Sequence, residues 1–165
     1  MDKTYRSIFI SDVHLGTKDC QAEKLNNFLK HNSCETLYLV GDIIDAWKIQ
    51  QNKLRWKQSH TNVVRRILGH AKRGTRVVYV AGNHDEYFKD TYRVNALEEF
   101  VSGRYKNIKS YSTPTDIEID GCQFFLLPWI TKVSEKDSYE AIEKTKASVC
   151  CAHLELDGFE MQKGM

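Results

Sequence analysis

Short clusters of aspartate, histidine and asparagine recur along the chain, separated by longer apolar stretches. They are Asp12-Val13-His14, Gly41-Asp42-Ile43-Ile44-Asp45, Gly82-Asn83-His84-Asp85 and Ala152-His153. A site for two divalent cations needs a bridging carboxylate, further nitrogen and oxygen ligands, and open positions for water and substrate. Asp42 is the candidate bridge, and mixed nitrogen and oxygen ligation suits manganese, iron or zinc better than calcium. We therefore predict a site for two divalent cations, first of all Mn²⁺ with iron or zinc as alternatives, whose ligands are Asp12, His14, Asp42, Asn83 and His153.

His84 follows Asn83 directly, so it is predicted to lie beside the cations and to point differently. A histidine in that place can donate a proton to the oxygen of a leaving group. Asp85 is predicted to hold the imidazole of His84 in the required tautomer. Asn83 and His84 are also predicted to contact the substrate. Because two cations stabilise the charge of a phosphoryl transition state, this set of residues indicates hydrolysis of a phosphate ester or anhydride.

Predicted strands end directly before each of these clusters. The strands are Tyr5–Ile10, Thr36–Val40, Arg76–Val80 and Ala147–Ala152. Helical patterns cover Asp19–Leu29, with Cys20, Leu25 and Phe28 inward, and also Ser59–Lys72 and Ser134–Lys146. Ile117–Ile119 and Gln123–Leu127 flank Asp120-Gly121 and predict a β-hairpin. Strands that alternate with helices predict an α/β fold with a parallel sheet buried on both faces. Ligands bind beyond the carboxyl ends of such strands, so the clusters are expected to converge.

The composition predicts an ordinary soluble domain over residues 1–165. Hydrophobic residues make up 41% of the chain and charged residues 28%. The formal net charge of +2 is too small to indicate nucleic acid by itself. The five cysteines form no Cys-x-x-Cys pair, which favours a reducing compartment over a secreted disulfide framework. With no signal peptide and no stretch long enough to span a membrane, we expect a cytoplasmic protein.

Three of these clusters, in this order, resemble the first three signatures of the calcineurin-like metallophosphoesterases. The matching segments are Ser11-Asp12-Val13-His14, Gly41-Asp42-Ile43-Ile44-Asp45 and Gly82-Asn83-His84-Asp85. The resemblance implies an α/β sandwich of mixed β-sheets flanked by helices. It implies one metal near Asp12 and His14, a second near Asn83 and His153, and Asp42 as the bridge. His84 matches the proton-donating histidine of the family.

The two halves of the chain resemble different branches of that family. Residues 5–86, with SDVHLGTK and KRGTRVVYVAGNHDE, are similar to UDP-2,3-diacylglucosamine pyrophosphatase-like proteins. Residues 87–165, with FFLLPWI and CAHLELDGFEMQKGM, are similar to phage SbcD and Mre-type nucleases. The first resemblance implies a nucleotide-lipid substrate, and we favour it because that half carries most of the site. The second is the alternative and implies DNA as the substrate, a homodimer and an ATPase partner.

One part of the family pattern is absent from the sequence. The family normally carries a later Gly-His-x-His segment whose histidines complete the two metal spheres, and no histidine follows His153 here. We therefore expect that the C-terminal part of the family domain is missing and that each metal lacks a ligand. Losses of this kind cost ~10–100-fold in affinity or activity. A catalytically weak remnant is accordingly a third alternative.

Several other side chains admit two interpretations. Asp45 either orients a metal ligand or caps the following helix. Trp47 and Trp56 are either packing residues or an apolar wall for an acyl chain or a base. His31, His60 and His70 are expected to be ordinary polar positions on helices, with substrate contact as an alternative for His60. A basic stretch is either a solvated helix face or a site that attracts phosphate, and it consists of Arg55, Arg65, Arg66, Lys72 and Arg73.

Overall fold

The computed structural model describes residues 3–51, 53–85 and 105–155 and arranges them as two β-sheets with helices. The first sheet contains four parallel strands in chain order: β1 (Lys3–Ile10), β2 (Asn32–Val40), β3 (Arg76–Val80) and β4 (Ile108–Tyr111). Between them lie the helices α1 (Ala22–His31), α2 (Ala46–Gln50) and α3 (Gln58–Lys72). The parallel sheet and the helices that alternate with its strands confirm the βαβ units predicted from the sequence.

The second sheet is mixed. Its strands are β5 (Thr115–Ile119), β6 (Cys122–Leu127) and β7 (Val149–Ala152), and α4 (Glu135–Lys144) connects the last two. The strands β5 and β6 pair antiparallel, whereas β6 and β7 pair parallel. At the turn of the hairpin, φ is 53° for Asp120 and 77° for Gly121. Positive φ at both central residues is the geometry that an Asp-Gly pair favours, because it matches the twist of the two strands.

Alternate residues of the parallel strands face different layers. Leu37 and Leu39 of β2 belong to a core cluster that includes Val63 of α3. Tyr38, between them in sequence, belongs to a second cluster that includes Leu126 of β6. Burial of one such side chain stabilises the folded state by about 1.5–3 kcal/mol, so packing on both faces holds the parallel sheet in place. The resulting layers are helix, parallel sheet and mixed sheet, which confirms the predicted α/β sandwich.

The structure differs from the prediction at its shortest elements and on one helix face. The strand β4 and the five-residue helix α2 were not predicted, because each is too short to show a clear hydrophobic period. Phe28 is 39% exposed, so its predicted inward position is wrong. The inward stripe of α1 is instead set by Ala22, Leu25 and Leu29, with spacings of three and four residues.

Two histidines that were expected to be ordinary polar positions are buried. His70 Nε2 donates to the carbonyl oxygen of Leu29 at 3.0 Å and links α3 to α1. His60 Nδ1 accepts the N–H of Gly16 at 3.1 Å and links α3 to the loop after β1. Burial lowers the pKa of both imidazoles, which favours their neutral forms. His60 therefore supports the loop that carries the candidate ligands Asp12 and His14.

Some of the predicted features lie outside the described residues. Residues 156–165 are among them, so the end of the predicted domain over residues 1–165 is not described. Within the described residues, no helix combines the length and the apolar character needed to cross a bilayer.

Candidate metal centre

The loops after β1, β2 and β3 are joined by backbone hydrogen bonds at the carboxyl edge of the parallel sheet. His14 N donates to the carbonyl oxygen of Asp42 at 2.8 Å, and Gly41 N donates to that of Val80 at 2.9 Å. His153 follows β7 directly, and its backbone N–H donates to the last residue of β6 at 3.2 Å. The four clusters identified in the sequence therefore meet at one place.

Three of the predicted ligands have left-handed backbone conformations. The values of φ are 53° for Asp12, 49° for His14 and 56° for Asp42. Such a conformation costs a residue other than glycine about 1–3 kcal/mol. The hydrogen bonds that join the loops offset this cost. Among the described residues other than glycine, positive φ occurs besides these only at Asp120 in the hairpin turn, so the strain is concentrated at the candidate site.

The carboxylate of Asp85 is completely buried beneath these loops and accepts four backbone N–H groups. Its Oδ1 accepts from Ile43 at 2.8 Å and from Ile44 at 2.9 Å. Its Oδ2 accepts from Asp42 at 2.6 Å and from Gly82 at 2.9 Å. Burial raises the pKa of Asp85 to about 6, although the N–H donors favour the ionised form. One side chain thus fixes the loops after β2 and β3 to each other.

The two oxygens of Asp42 have different partners. Oδ1 accepts the backbone N–H of His84 at 2.9 Å. Oδ2 faces two imidazoles, at 3.5 Å from His14 Nε2 and 3.4 Å from His153 Nε2. Burial opposes ionisation, but the hydrogen bond and charge of His153 outweigh it and hold the pKa of Asp42 below its ordinary value. The pKa of His153 is raised despite burial, because Asp42 stabilises its protonated form. Asn83 Oδ1 lies 3.1 Å from His153 Nε2.

The ligand atoms form two groups of three that share Asp42. One group contains His14 and His84, the other contains Asp12 and His153, and within each group the atoms lie within 4.8 Å of one another. This donor set of imidazoles and carboxylates fits a divalent transition metal. The structure therefore brings the predicted ligands together. Their grouping differs from the one that the resemblance implied, because His14 lies edge-on to His84, with ring centroids 4.8 Å apart, while Asp12 lies with His153.

Asp45, and not Asp85, is the carboxylate that faces the imidazole of His84. The predicted contact with Asp85 is wrong, because both oxygens of that residue are directed at backbone N–H groups. Oδ2 of Asp45 is 3.3 Å from His84 Nδ1, and Oδ1 accepts the N–H of Lys48 at 3.0 Å. The same Oδ2 lies 3.8 Å from Nδ1 of the predicted ligand His14. Asp45 thus caps α2 and faces the imidazole of a predicted ligand, which agrees with both interpretations left open by the sequence.

The indole of Trp47 covers one side of His84, with ring centroids 4.1 Å apart. The sequence left open whether this tryptophan packs in the core or forms a wall, and in the structure it packs against the predicted proton donor. The imidazole of His84 thus has Trp47 and the carboxylate of Asp45 as close neighbours. The helix cap at Asp45, three residues before Lys48, could be predicted from the sequence, because aspartate is a preferred residue at the start of a helix. No sequence pattern identifies which imidazole its carboxylate contacts.

Two glycines provide space that the site requires. A Cβ on Gly41 would overlap the imidazole of His153. A Cβ on Gly82 would overlap the backbone N and Oδ1 of Asp42. Gly41 also has φ of 71°, a left-handed conformation that glycine adopts without steric cost. The glycines of the two motifs therefore allow His153 and Asp42 to approach the loops closely.

Two cavities open beside the candidate metal centre and meet at Asp12 and His14. One, of about 640 Å³, extends past Asn83 and His153 towards β7. The other, of about 450 Å³, extends towards the start of α1 and has Lys24 in its lining. Asp12 and His14 thus line both cavities, whereas Asp42, Asn83 and His153 line only the first.

A sequence model of the calcineurin-like phosphoesterase family matches residues 5–162. The chain belongs to this family. A calcineurin-like phosphoesterase is a hydrolase of phosphate esters, and the sandwich fold and shared carboxylate described above agree with that membership.

The chain is similar to parts of two curated proteins. Exonuclease subunit 1 of Enterobacteria phage T4 is 33% identical over 166 residues, covering 94% of this chain and 47% of that protein. The DNA polymerase II small subunit of Methanothermobacter thermautotrophicus is 27% identical over 134 residues, covering 68% of this chain and 28% of that protein. This phosphoesterase chain therefore spans about half of the first relative and less than a third of the second.

A solved structure of a protein of unknown function from Aquifex aeolicus is also similar. It covers 92% of this chain and 81% of its own, with 19% identity and a TM-score of 0.47.

The anchoring role of Asp85 is testable by Asp85→Asn. The amide keeps one acceptor oxygen and directs N–H groups at backbone donors, and each buried donor left unpaired costs about 1–3 kcal/mol. We expect urea denaturation to show a loss of about 2–4 kcal/mol in unfolding free energy. Asp120→Asn makes the same change at an exposed turn and is expected to alter stability by less than about 0.5 kcal/mol. Equal losses in the two variants would contradict the role assigned to Asp85.

The space at Gly41 is testable with a matched pair of alanine variants. Gly41 and Gly121 have φ of 71° and 77°, but a Cβ on Gly121 has no neighbour within 4 Å. Both substitutions incur a left-handed backbone cost of about 1–2 kcal/mol, whereas only Gly41→Ala displaces His153. We expect at least ~10-fold weaker Mn²⁺ binding for Gly41→Ala in calorimetric titrations. Gly121→Ala is expected to bind as the wild type does, and equal affinities would remove His153 from the ligand set.

Proposed function

We propose that this chain carries the catalytic site of a metal-dependent phosphodiesterase of the nuclease type, with two divalent cations, Mn²⁺ first among them. The observation that carries the proposal is the position of Asp42. Its Oδ2 lies 3.5 and 3.4 Å from the Nε2 atoms of His14 and His153, so it lies between a predicted ligand of each cation. A carboxylate shared in this way is the feature that a two-metal site needs most.

When bound, the cations would neutralise the charge of the phosphate and activate a water molecule for attack. The chain supplies the remaining functions. Asp12, His14, Asp42, Asn83 and His153 hold the cations. His84 donates a proton from Nε2 to the leaving oxygen, because its Nδ1 faces Asp45. Asn83 and His84 also contact the substrate phosphate.

The two cavities beside Asp12 and His14 support a diester substrate. A phosphodiester has a substituent on each side of the phosphorus atom, and each substituent needs its own space. A phosphate monoester would occupy only one of the two. The second cavity also contains Lys24, whose ammonium group attracts a flanking phosphate.

The names of the curated relatives support DNA over a nucleotide-lipid. One relative is an exonuclease subunit and the other is a DNA polymerase subunit. Neither supports the pyrophosphatase-like resemblance of residues 5–86, which we favoured from the sequence. Both are named as subunits, so our proposal includes a protein partner, and an ATPase and a second copy of the chain remain the predicted ones.

Activity is testable with bis-p-nitrophenyl phosphate and Mn²⁺. We expect Asp42→Asn to lower kcat/KM by about 100-fold or more, because both ligand groups lose a charged oxygen. Asp120→Asn is a matched control, since φ is 56° at Asp42 and 53° at Asp120. The control is expected to keep the wild-type rate. Equal rates in all three proteins would exclude catalysis at this site.

The substrate class is testable by separate incubation with linear duplex DNA and with a UDP-sugar diphosphate. We expect Mn²⁺-dependent cleavage of DNA and none of the diphosphate. Cleavage of the diphosphate alone would restore the nucleotide-lipid interpretation. No cleavage of either, together with less than two equivalents of bound metal per chain, would indicate the catalytically weak remnant.

A further inference from the structure

A groove with only basic charges lies between the end of α1 and the outer face of α3. We name it the basic groove and define it by its basic residues: Lys30, His31, Arg65, Arg66 and Arg73. Its volume is about 620 Å³, and no aspartate or glutamate is among its described lining residues. The whole chain has 24 lysines and arginines against 22 acidic residues, so this concentration of one sign is a local property. The basic groove covers most of the stretch whose role the sequence left open.

Helix dipoles explain only part of this charge. Lys30 and His31 are in the last turn of α1, where cations stabilise the negative end of a helix. Arg65 and Arg66 are in the middle of α3 and have no such role. Within the described part of the chain, the buried Nε of Arg66 has no hydrogen-bond acceptor. A buried guanidinium donor without an acceptor is costly, so the position of Arg66 is not explained by a hydrogen bond of its Nε within the described part of the chain.

A second cavity extends the basic groove along the edge of the sheet. It measures about 1060 Å³ and shares Ser33 and Arg73 with the groove. It adds the basic residues Arg76, Lys106 and Lys109, and its acidic lining residues are Glu35 and Glu118. Arg66 and Arg73 are seven residues apart, which is about 10 Å along a helix. A strand of DNA carries one charge per ~3.4 Å of helix axis, so this distance spans more than one phosphate.

The basic groove lies at the end of the sheet opposite the candidate metal centre. Ser33 is at the start of β2 and Arg73 precedes β3, whereas Asp42 and Asn83 follow the ends of these strands. A five-residue strand such as β3 spans about 16 Å. A phosphate in the groove is therefore not the one that would be hydrolysed.

We infer that the basic groove binds the phosphate backbone of nucleic acid at a place separate from the hydrolytic site. Arginine suits this ligand, because its planar guanidinium donates two parallel hydrogen bonds to a phosphate. The number of phosphates spanned favours a polyanion over a single phosphate ion. The inference shares its ligand class with the proposed function, but binding in the groove requires neither cations nor hydrolysis.

Fluorescence anisotropy with a labelled DNA duplex of about 30 base pairs tests the inference, in EDTA and at about 50–200 mM KCl. The variant is Arg65→Gln/Arg66→Gln/Arg73→Gln. Each lost phosphate contact lowers the slope of log affinity against log salt by ~0.9. We expect the slope to fall by about 2–3 and the affinity at the lowest salt to fall at least ~10-fold. The charge-conserving variant Arg65→Lys/Arg66→Lys/Arg73→Lys is expected to keep most of the slope.

A matched control removes three charges elsewhere, by Lys136→Gln/Lys144→Gln/Lys146→Gln. These lysines are exposed, and Lys136 and Lys144 lie on α4. The control is expected to change the slope by less than about 1. Equal slopes in the groove variant and the wild type, or equal losses in groove and control variants, would overturn the inference. Binding of labelled poly-glutamate that is lost in the groove variant, while DNA binding is the same in the groove variant and the wild type, would overturn it in favour of an acidic protein. Because EDTA excludes hydrolysis, these outcomes are independent of the activity assays.

Discussion

The buried carboxylate of Asp85 is the interaction on which the candidate metal centre depends. The loops after β2 and β3 direct backbone N–H groups into the protein interior, and four of them find their acceptor in this one side chain. Unpaired, each would cost about 1–3 kcal/mol. Because the donors include Ile43 in one loop and Gly82 in the other, the carboxylate fixes the distance between the loops. That distance brings the N–H of His84 to Asp42. The orientation of the shared carboxylate is therefore set by a residue buried beneath it.

The same arrangement concentrates negative charge. Asp42, Asp45 and Asp85 are all buried, and buried charges are costly unless they are paired. Asp85 is compensated by backbone N–H groups, and Asp45 is compensated by the start of α2 and by His84. For Asp42, the compensation for Oδ2 includes the imidazole of His153, whose pKa is raised because Asp42 favours its protonated form. Metal ligation requires a neutral imidazole, so cation binding would compete with protonation of His153. The strained loops thus hold a charge distribution that favours bound cations.

Much of this site could be predicted from the sequence, because strand periodicity places each cluster at a strand end and parallel strands end at the same edge. The assignment of carboxylates could not be predicted. Asp45 and Asp85 both lie close in sequence to predicted ligands, and loop dihedral angles decide which one turns towards the imidazole and which one turns towards the backbone. The predictions for His70 and Phe28 were wrong for a related reason. One is buried because its partner is a carbonyl oxygen on another helix, and the other is exposed because the phase of α1 is set by neighbours distant in sequence.

The parallel sheet separates two kinds of electrostatic surface. At its carboxyl edge, Asp12 and Asp42 would repel a phosphate as long as no cation is bound, so attraction there depends on metal. At the opposite edge, arginines such as Arg65 and Arg66 attract phosphate whether or not metal is present. The net charge of +2 conceals this separation, because the two contributions nearly cancel in the sum. A nucleic acid bound in the basic groove would have a higher local concentration near the candidate metal centre. The phosphates bound in the groove would not themselves be hydrolysed. Binding and hydrolysis would then respond differently to salt and to metal, since different ends of the same strands control them.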